Sequence, residues 1–193
     1  MIDSLVPEGS TVLDVGANIG RYTLKLSSIV GNLGRVIAIE PNVYSFSILS
    51  CITTWSGRSN ISLLNLAAFS EQGFVSLTRD FKAPPSAIFT TETSSSISTH
   101  ATNLASSLSV MSLPLDLICS QMPVSFIKID VEGSEFGVLL GAKDLLRRRK
   151  PILLIEITDP RAEEFLIEMG YVAKSSIAGS RNKIFVKVNT STT

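Results

Sequence analysis

The chain has 193 residues, enough for one domain with a sizeable core, and 45% of them are hydrophobic. Its formal net charge is zero, which speaks against a dedicated nucleic-acid binder with a basic face, and no apolar run reaches the length of a membrane span. His100 is the only histidine and lies in a loop-like stretch, and Cys51 and Cys119 lie far apart without metal-like spacing, which speaks against a histidine-rich or cysteine-paired metal site and against a Ser-His-Asp triad.

The N-terminus has no charged start followed by an apolar block, and two reduced, buried thiols are expected, so the expected location is cytoplasmic. After a lead-in with Pro7 and Gly9, residues 11–15 read as a buried strand. Residues 16–20 form a glycine-bounded loop, and a helix runs over 20–29. Gly31 and Gly34 close that helix before a second strand over 35–39, which Glu40-Pro41 ends. A helix is expected over 43–55, with Val43, Phe46, Leu49 and Ile52 on one stripe, and a strand over 61–66. A turn at 70–73 returns the chain into a short strand over 74–78. Residues 83–112 are dominated by serine and threonine behind Pro84-Pro85, and read as a long surface loop or a lid inside a single domain spanning 1–193. A short helix is expected over 115–121, a central strand over 124–129, a turn and helix over 131–149 and a buried strand over 152–157. A helix over 161–169 precedes two final strands over 171–173 and 183–188. Strands alternating with helices indicate an α/β fold whose mostly parallel sheet is covered on both faces.

The loop Gly16-Ala17-Asn18-Ile19-Gly20 follows a strand and opens a helix, the setting of a nucleotide-like ligand at the carboxyl edge of a parallel sheet. Gly16 is expected to let the backbone approach that ligand, and Gly20 to let the helix pack on the strand. Glu40 ends the next strand a little over twenty residues on, where an acid can accept from both hydroxyls of a ribose. The glycine spacing is not the G-x-G-x-x-G of a dinucleotide site, and Asp14 before the loop would repel a pyrophosphate. Asp14 would instead attract the ammonium of a methionine moiety, which favours S-adenosylmethionine as the ligand. Asp130 and Glu156 end two further strands and should face the same crevice. Asp130 is the first candidate to orient or deprotonate an acceptor oxygen, with Glu132 and Glu156 behind it. Lys128, two residues before Asp130, either pairs with a neighbouring acid or acts in the site. Asp130 and Glu156 could alternatively hold a divalent cation, although none is predicted. Glu135 reads as a helix-capping acid, the run 147–150 as cations at a helix end, and the sequon at 189–191 is discounted.

Three blocks resemble the FkbM family of class I S-adenosylmethionine-dependent methyltransferases. They are residues 12–24, the acid block Ala38-Ile39-Glu40-Pro41, and residues 126–135 continuing to 138–142. Residues 65–70 resemble the family segment whose backbone lies near the adenine, which implies that Leu66 and Ala67 border it. The resemblance implies a seven-stranded sheet with its last strand antiparallel. It implies a cofactor converted to S-adenosylhomocysteine, and methyl transfer to a hydroxyl of a sugar or small metabolite, free or in a glycan. Methylation of RNA at the ribose 2′ oxygen and a cofactor-binding module without activity are the alternatives. Family members commonly carry further chain before the first block, which eleven residues precede here.

Overall fold

The computed structural model describes residues 2–79, 89–93, 107–176 and 182–188. Strand β1 (Thr11–Val15) leads into α1 (Arg21–Val30), and β2 (Arg35–Ile39) into α2 (Val43–Trp55). Next come β3 (Ile61–Leu64), β4 (Ala67–Ala68), β5 (Gly73–Arg79), β6 (Phe89–Thr93) and β7 (Ser107–Leu113). The second half comprises α3 (Leu115–Ile118), β8 (Val124–Ile129), α4 (Glu135–Leu140), α5 (Lys143–Arg149) and β9 (Ile152–Glu156). It ends with α6 (Pro160–Glu168), β10 (Tyr171–Ser176) and β11 (Asn182–Lys187).

Seven strands form one sheet in the order β10-β11-β9-β8-β1-β2-β3. Strands β3, β2, β1, β8 and β9 run parallel, while β11 is antiparallel to both β9 and β10. The central strands are buried on both faces, which is why β1, β2 and β8 read as near-continuous apolar runs rather than alternating ones. Leu13, Ile37 and Ile127 pack with α4 and α5 on one face. Val12, Val36 and Phe126 pack with α1 on the other. Placing β1 between β2 and β8 brings the carboxyl ends of three strands together, and the candidate site lies at those ends.

Local signals set several boundaries. The Asn42 side chain caps α2 by accepting from the Tyr44 N–H at 2.9 Å. Asp159 caps α6 with Pro160 in its first turn.

The structure departs from expectation in five places. The stripe expected on α2 is narrower, since Leu49 is its buried apolar residue and Val43 stays exposed. Residues 131–149 form two helices, because the chain turns at Gly141 between α4 and α5. The strand expected over 61–66 stops at Leu64, and Ala67–Ala68 joins a second sheet. Cys51 is exposed and only Cys119 is buried, because Cys51 lies on the outer side of α2. The segment expected to be a loop over 83–112 contributes β6 and most of β7 to that second sheet, ordered β4-β7-β5-β6. β5 pairs antiparallel with both β6 and β7, and the threonines and Phe89 of β6 and Val110 of β7 are residue types that favour strands. The rest of 83–112, including His100, and the sequon at 189–191 lie outside the described residues.

Candidate active site

A cavity of about 440 Å³ opens at the carboxyl ends of β1, β2, β8 and β9. Of the residues singled out in the sequence, Gly16, Ala17, Asn18, Glu40, Pro41, Ala67, Lys128, Asp130, Glu132 and Glu156 line it.

The wall beside β2 is built around Glu40. Its side chain is almost wholly enclosed, and both oxygens are held by backbone N–H groups. Asn18 donates to Oε2 at 2.7 Å and Asn42 to Oε1 at 2.8 Å. The loop is arranged for this contact, since Asn18 has φ +50° and Gly16 and Ala17 both donate to the Ile39 carbonyl. Asparagine tolerates the left-handed conformation better than most residues. Burial raises the Glu40 pKa above the ordinary glutamate value. The two N–H bonds and the Lys128 charge oppose that shift without reversing it. Each carboxylate oxygen has lone pairs beyond those the N–H groups use, so Glu40 can accept from ligand hydroxyls.

The floor is a buried charge cluster. Lys128 Nζ lies 3.1 Å from Asp130 Oδ2, 3.3 Å from the Gly16 carbonyl oxygen and 3.6 Å from Asp14 Oδ1. The Tyr22 ring lies against the same ammonium, 4.8 Å from its centroid. Burial alone would lower the Lys128 pKa, but the charges of Asp14 and Asp130 and the bond to Asp130 outweigh it, and the net shift is upward. Asp14 has no solvent exposure, and its Oδ2 accepts from the Thr23 hydroxyl at 2.6 Å.

Three residues expected at the ligand stand apart from the cavity. Asp14 does not line the cavity: it lies beneath the floor, already engaged by Lys128 and Thr23. Gly20 does not line it either, since a side chain there would strike Leu49 of α2, so this glycine serves helix packing. Leu66 points into a separate apolar groove with Leu64, Leu113 and Met122, leaving Ala67 and Ala68 at the cavity. Gly16 does line the cavity, but its close approach is to the protein itself. It has φ +76°, and a Cβ there would overlap the Asp130 carbonyl group.

Asp130, Glu132 and Glu156 line a further part of the cavity. Glu132 has φ +47°, an uncommon conformation for a residue with a long side chain. Asp130 and Glu156 both face the cavity, but among the described residues no group of three or more His, Cys, Asp or Glu is placed to hold a metal ion. Glu135 does not cap α4 as expected: it is buried at the first position of that helix and accepts from the Gly133 N–H upstream and the Thr158 hydroxyl. Sequence reasoning missed Arg21, Tyr22, Ser45 and Leu77 in the wall. Arg21 and Tyr22 directly follow the glycine loop, a spacing that could have revealed them. Leu77 arrives from the second sheet, which the sequence reading did not contain.

The residues fit an adenosyl-amino-acid ligand. Glu40 offers paired acceptors, and the 16–20 loop offers backbone groups beside it. Comparison with known proteins agrees. The family model described as the methyltransferase FkbM domain matches residues 14–176. Among solved structures, the FkbM methyltransferase of Methylobacillus flagellatus matches at TM-score 0.62 and 20% identity, covering 93% of this chain and 44% of that one. Aeropyrum pernix fibrillarin, solved with natively bound S-adenosyl-L-methionine, matches at TM-score 0.55 and 16% identity, covering 94% and 67%. An rRNA methylase from Streptococcus thermophilus matches at TM-score 0.54 and 13% identity, covering 97% and 92%. The chain thus spans less than half the length of the Methylobacillus protein. No curated protein matches it. No helix among the described residues is long and apolar enough to cross a membrane. With the family match covering most of the chain and the strand order that of a Rossmann-like methyltransferase sheet, the chain belongs to the FkbM family of S-adenosylmethionine-dependent methyltransferase domains.

Proposed function

We propose that this domain methylates a hydroxyl of a sugar or small metabolite, with S-adenosylmethionine as the donor. The observation that carries the reading is Glu40, a carboxylate held by two backbone N–H groups in the cavity wall, with Asp130 and Glu156 lining the same cavity. Glu40 accepts from the ribose hydroxyls, and Ala67 and Pro41 border the nucleoside. S-adenosylmethionine, when bound, supplies an electrophilic methyl group.

Asp130 orients the acceptor hydroxyl and accepts its proton as the oxygen attacks, with Lys128 balancing its charge. Glu156 lines the cavity and is only partly buried, so its carboxylate can accept from further hydroxyls of the acceptor. The larger part of the rate comes from holding the acceptor oxygen in line with the reacting carbon.

Calorimetry with S-adenosylhomocysteine tests the donor half. Native protein should bind, and Glu40→Gln should weaken binding by about tenfold or more, the worth of a charge-assisted bond. A folded sample that binds neither donor nor product would end this reading. A panel of unphosphorylated glycosides and polyols tests the acceptor half.

A second reading, methylation of the ribose 2′ oxygen of RNA, draws on the shared placement of Lys128, Asp130 and Glu156 and on the fold likeness to an rRNA methylase. Against it stands the charge of the cavity lining, where Glu40, Asp130, Glu132 and Glu156 outnumber Arg21 and Lys128. The basic run Arg147, Arg148, Arg149 ends α5, outside the cavity lining, whereas RNA binding draws on lysine and arginine against phosphate. Transfer of labelled methyl to RNA, but to none of the polyols, would favour this second reading.

A further inference from the structure

The Lys128 ammonium sits among three acceptors and satisfies them unequally. It bonds Asp130 Oδ2 at 3.1 Å and the Gly16 carbonyl at 3.3 Å, but stands 3.6 Å from Asp14 Oδ1. That oxygen is buried and has no hydrogen-bond partner. Rotation of the Asp14 carboxylate is opposed by Thr23, whose hydroxyl donates to Oδ2 at 2.6 Å. A charge-assisted N–H···O bond closes to about 2.7–2.9 Å and is roughly twice as strong as one to a neutral carbonyl. The ammonium therefore holds the weaker acceptor, Gly16, while a stronger one waits less than an ångström beyond contact.

Gly16 lines the cavity, and its carbonyl already receives one ammonium. A carbonyl oxygen has two lone pairs, but a cationic ligand group that reaches this one meets the Lys128 ammonium beside it, and repulsion between the two cations opposes both bonding it at once. Asp14 itself does not line the cavity and cannot take that cation by contact.

We propose that Lys128 is a positioning residue that yields the Gly16 carbonyl to a ligand's ammonium group and closes onto Asp14 Oδ1, so that Asp14 governs ligand binding through Lys128 rather than by touching the ligand. The inference rests on the methyl-donor reading above, in which an amino-acid end reaches Gly16. The exchange keeps the count of ammonium hydrogen bonds constant. The ligand gains the Gly16 carbonyl, Lys128 replaces it with a carboxylate, and the orphaned oxygen gains a donor. Tyr22, against the same ammonium, keeps the lysine enclosed during the shift.

The test is calorimetry on the full chain with two probes. S-adenosylhomocysteine carries the α-ammonium. 5′-Methylthioadenosine has the same nucleoside without the amino-acid end. Native protein should bind both, and if it binds neither, the methyl-donor reading fails before this inference is reached. With Asp14→Asn, the second acceptor of Lys128 loses its charge and is no stronger than the Gly16 carbonyl, so the ammonium stays on Gly16. Affinity for S-adenosylhomocysteine should fall by about tenfold, one charge-assisted bond, while methylthioadenosine binds as before and reports an intact site. Adding Lys128→Met removes the competitor and leaves a neutral pair in place of the buried charges. Affinity for S-adenosylhomocysteine should then return to within about threefold of native, as neutral replacement of a buried pair permits. If the double variant stays as weak as Asp14→Asn, then Asp14 acts on the ligand directly and the inference is overturned. Native affinity in Asp14→Asn alone overturns it as well.

Discussion

Asp14 and Glu40 stand at the carboxyl ends of neighbouring parallel strands, and their surroundings differ in kind. Asp14 lies within β1, opposite Ala38, and has no exposure. Its partners are a cation and a hydroxyl. Glu40 lies one residue beyond β2, where the backbone has turned and two N–H groups meet its oxygens. The difference teaches that depth along the strand decides the role of an acid. An acid inside the last strand position is closed in and must be neutralised by the protein. One just past the strand meets loop backbone on one side and the cavity on the other. Removing a charge should therefore cost stability at the floor and affinity at the wall.

The largest effect is expected at the floor. Lys128→Met leaves Asp14 buried without its counter-charge, and breaking a buried pair from one side destabilises by about 3–5 kcal/mol. Urea unfolding of the single variant should show that loss, whereas the neutral double variant with Asp14→Asn should recover most of it. Equal losses in the single and the double would mean that packing by the lysine stem, not charge, is what Lys128 supplies.

Next in size is the seam joining floor and wall. Gly16→Ala places a Cβ against the Asp130 carbonyl and forces a side chain into a backbone conformation at φ +76°. Overpacking and the left-handed penalty together amount to about 2–4 kcal/mol. Because Gly16 and Ala17 tie the loop to the Ile39 carbonyl, the N–H contact from Asn18 to Glu40 should loosen too, and donor affinity should fall along with stability. A variant of native stability and affinity would show that the strand ends can separate without consequence.

The floor and wall were legible to different degrees. The apolar runs of β1, β2 and β8 carry the parallel sheet openly, because strands buried on both faces leave no polar alternation. Glu40 could be read from its place after β2. Asp14 was read as a ligand contact, whereas its side chain lies beneath the cavity floor. Which acid is enclosed depends on Lys128 reaching across from β8, a pairing between residues 114 positions apart in the chain, written in the sheet register rather than in either segment. The same holds for Leu66 and Leu77. One turns away from the cavity where β3 ends and the other arrives with β5, and the serine-rich composition around β6 and β7 gave no hint of the pairing that holds β5 there.

The smallest effect, and the sharpest test of the wall, is the pH dependence of Glu40. Burial raises its pKa in the folded chain above the ordinary glutamate value of 4.5. Between 4.5 and the raised value the folded state binds more proton than the unfolded state, so stability falls as pH rises through that window and is flat above it. Ligand binding runs the other way. Accepting from two hydroxyls requires the ionised carboxylate, so affinity for an adenosyl ligand should weaken as pH falls through the same window. In Glu40→Gln both slopes should vanish together, the stability slope in the free protein and the affinity slope in the complex. Chemical denaturation and calorimetry over this acid range, on native and variant chains, measure the two. Were the native affinity to stay level while its stability changes, Glu40 would be a buried acid with no ligand to serve, and the contrast with Asp14 would reduce to one of depth alone.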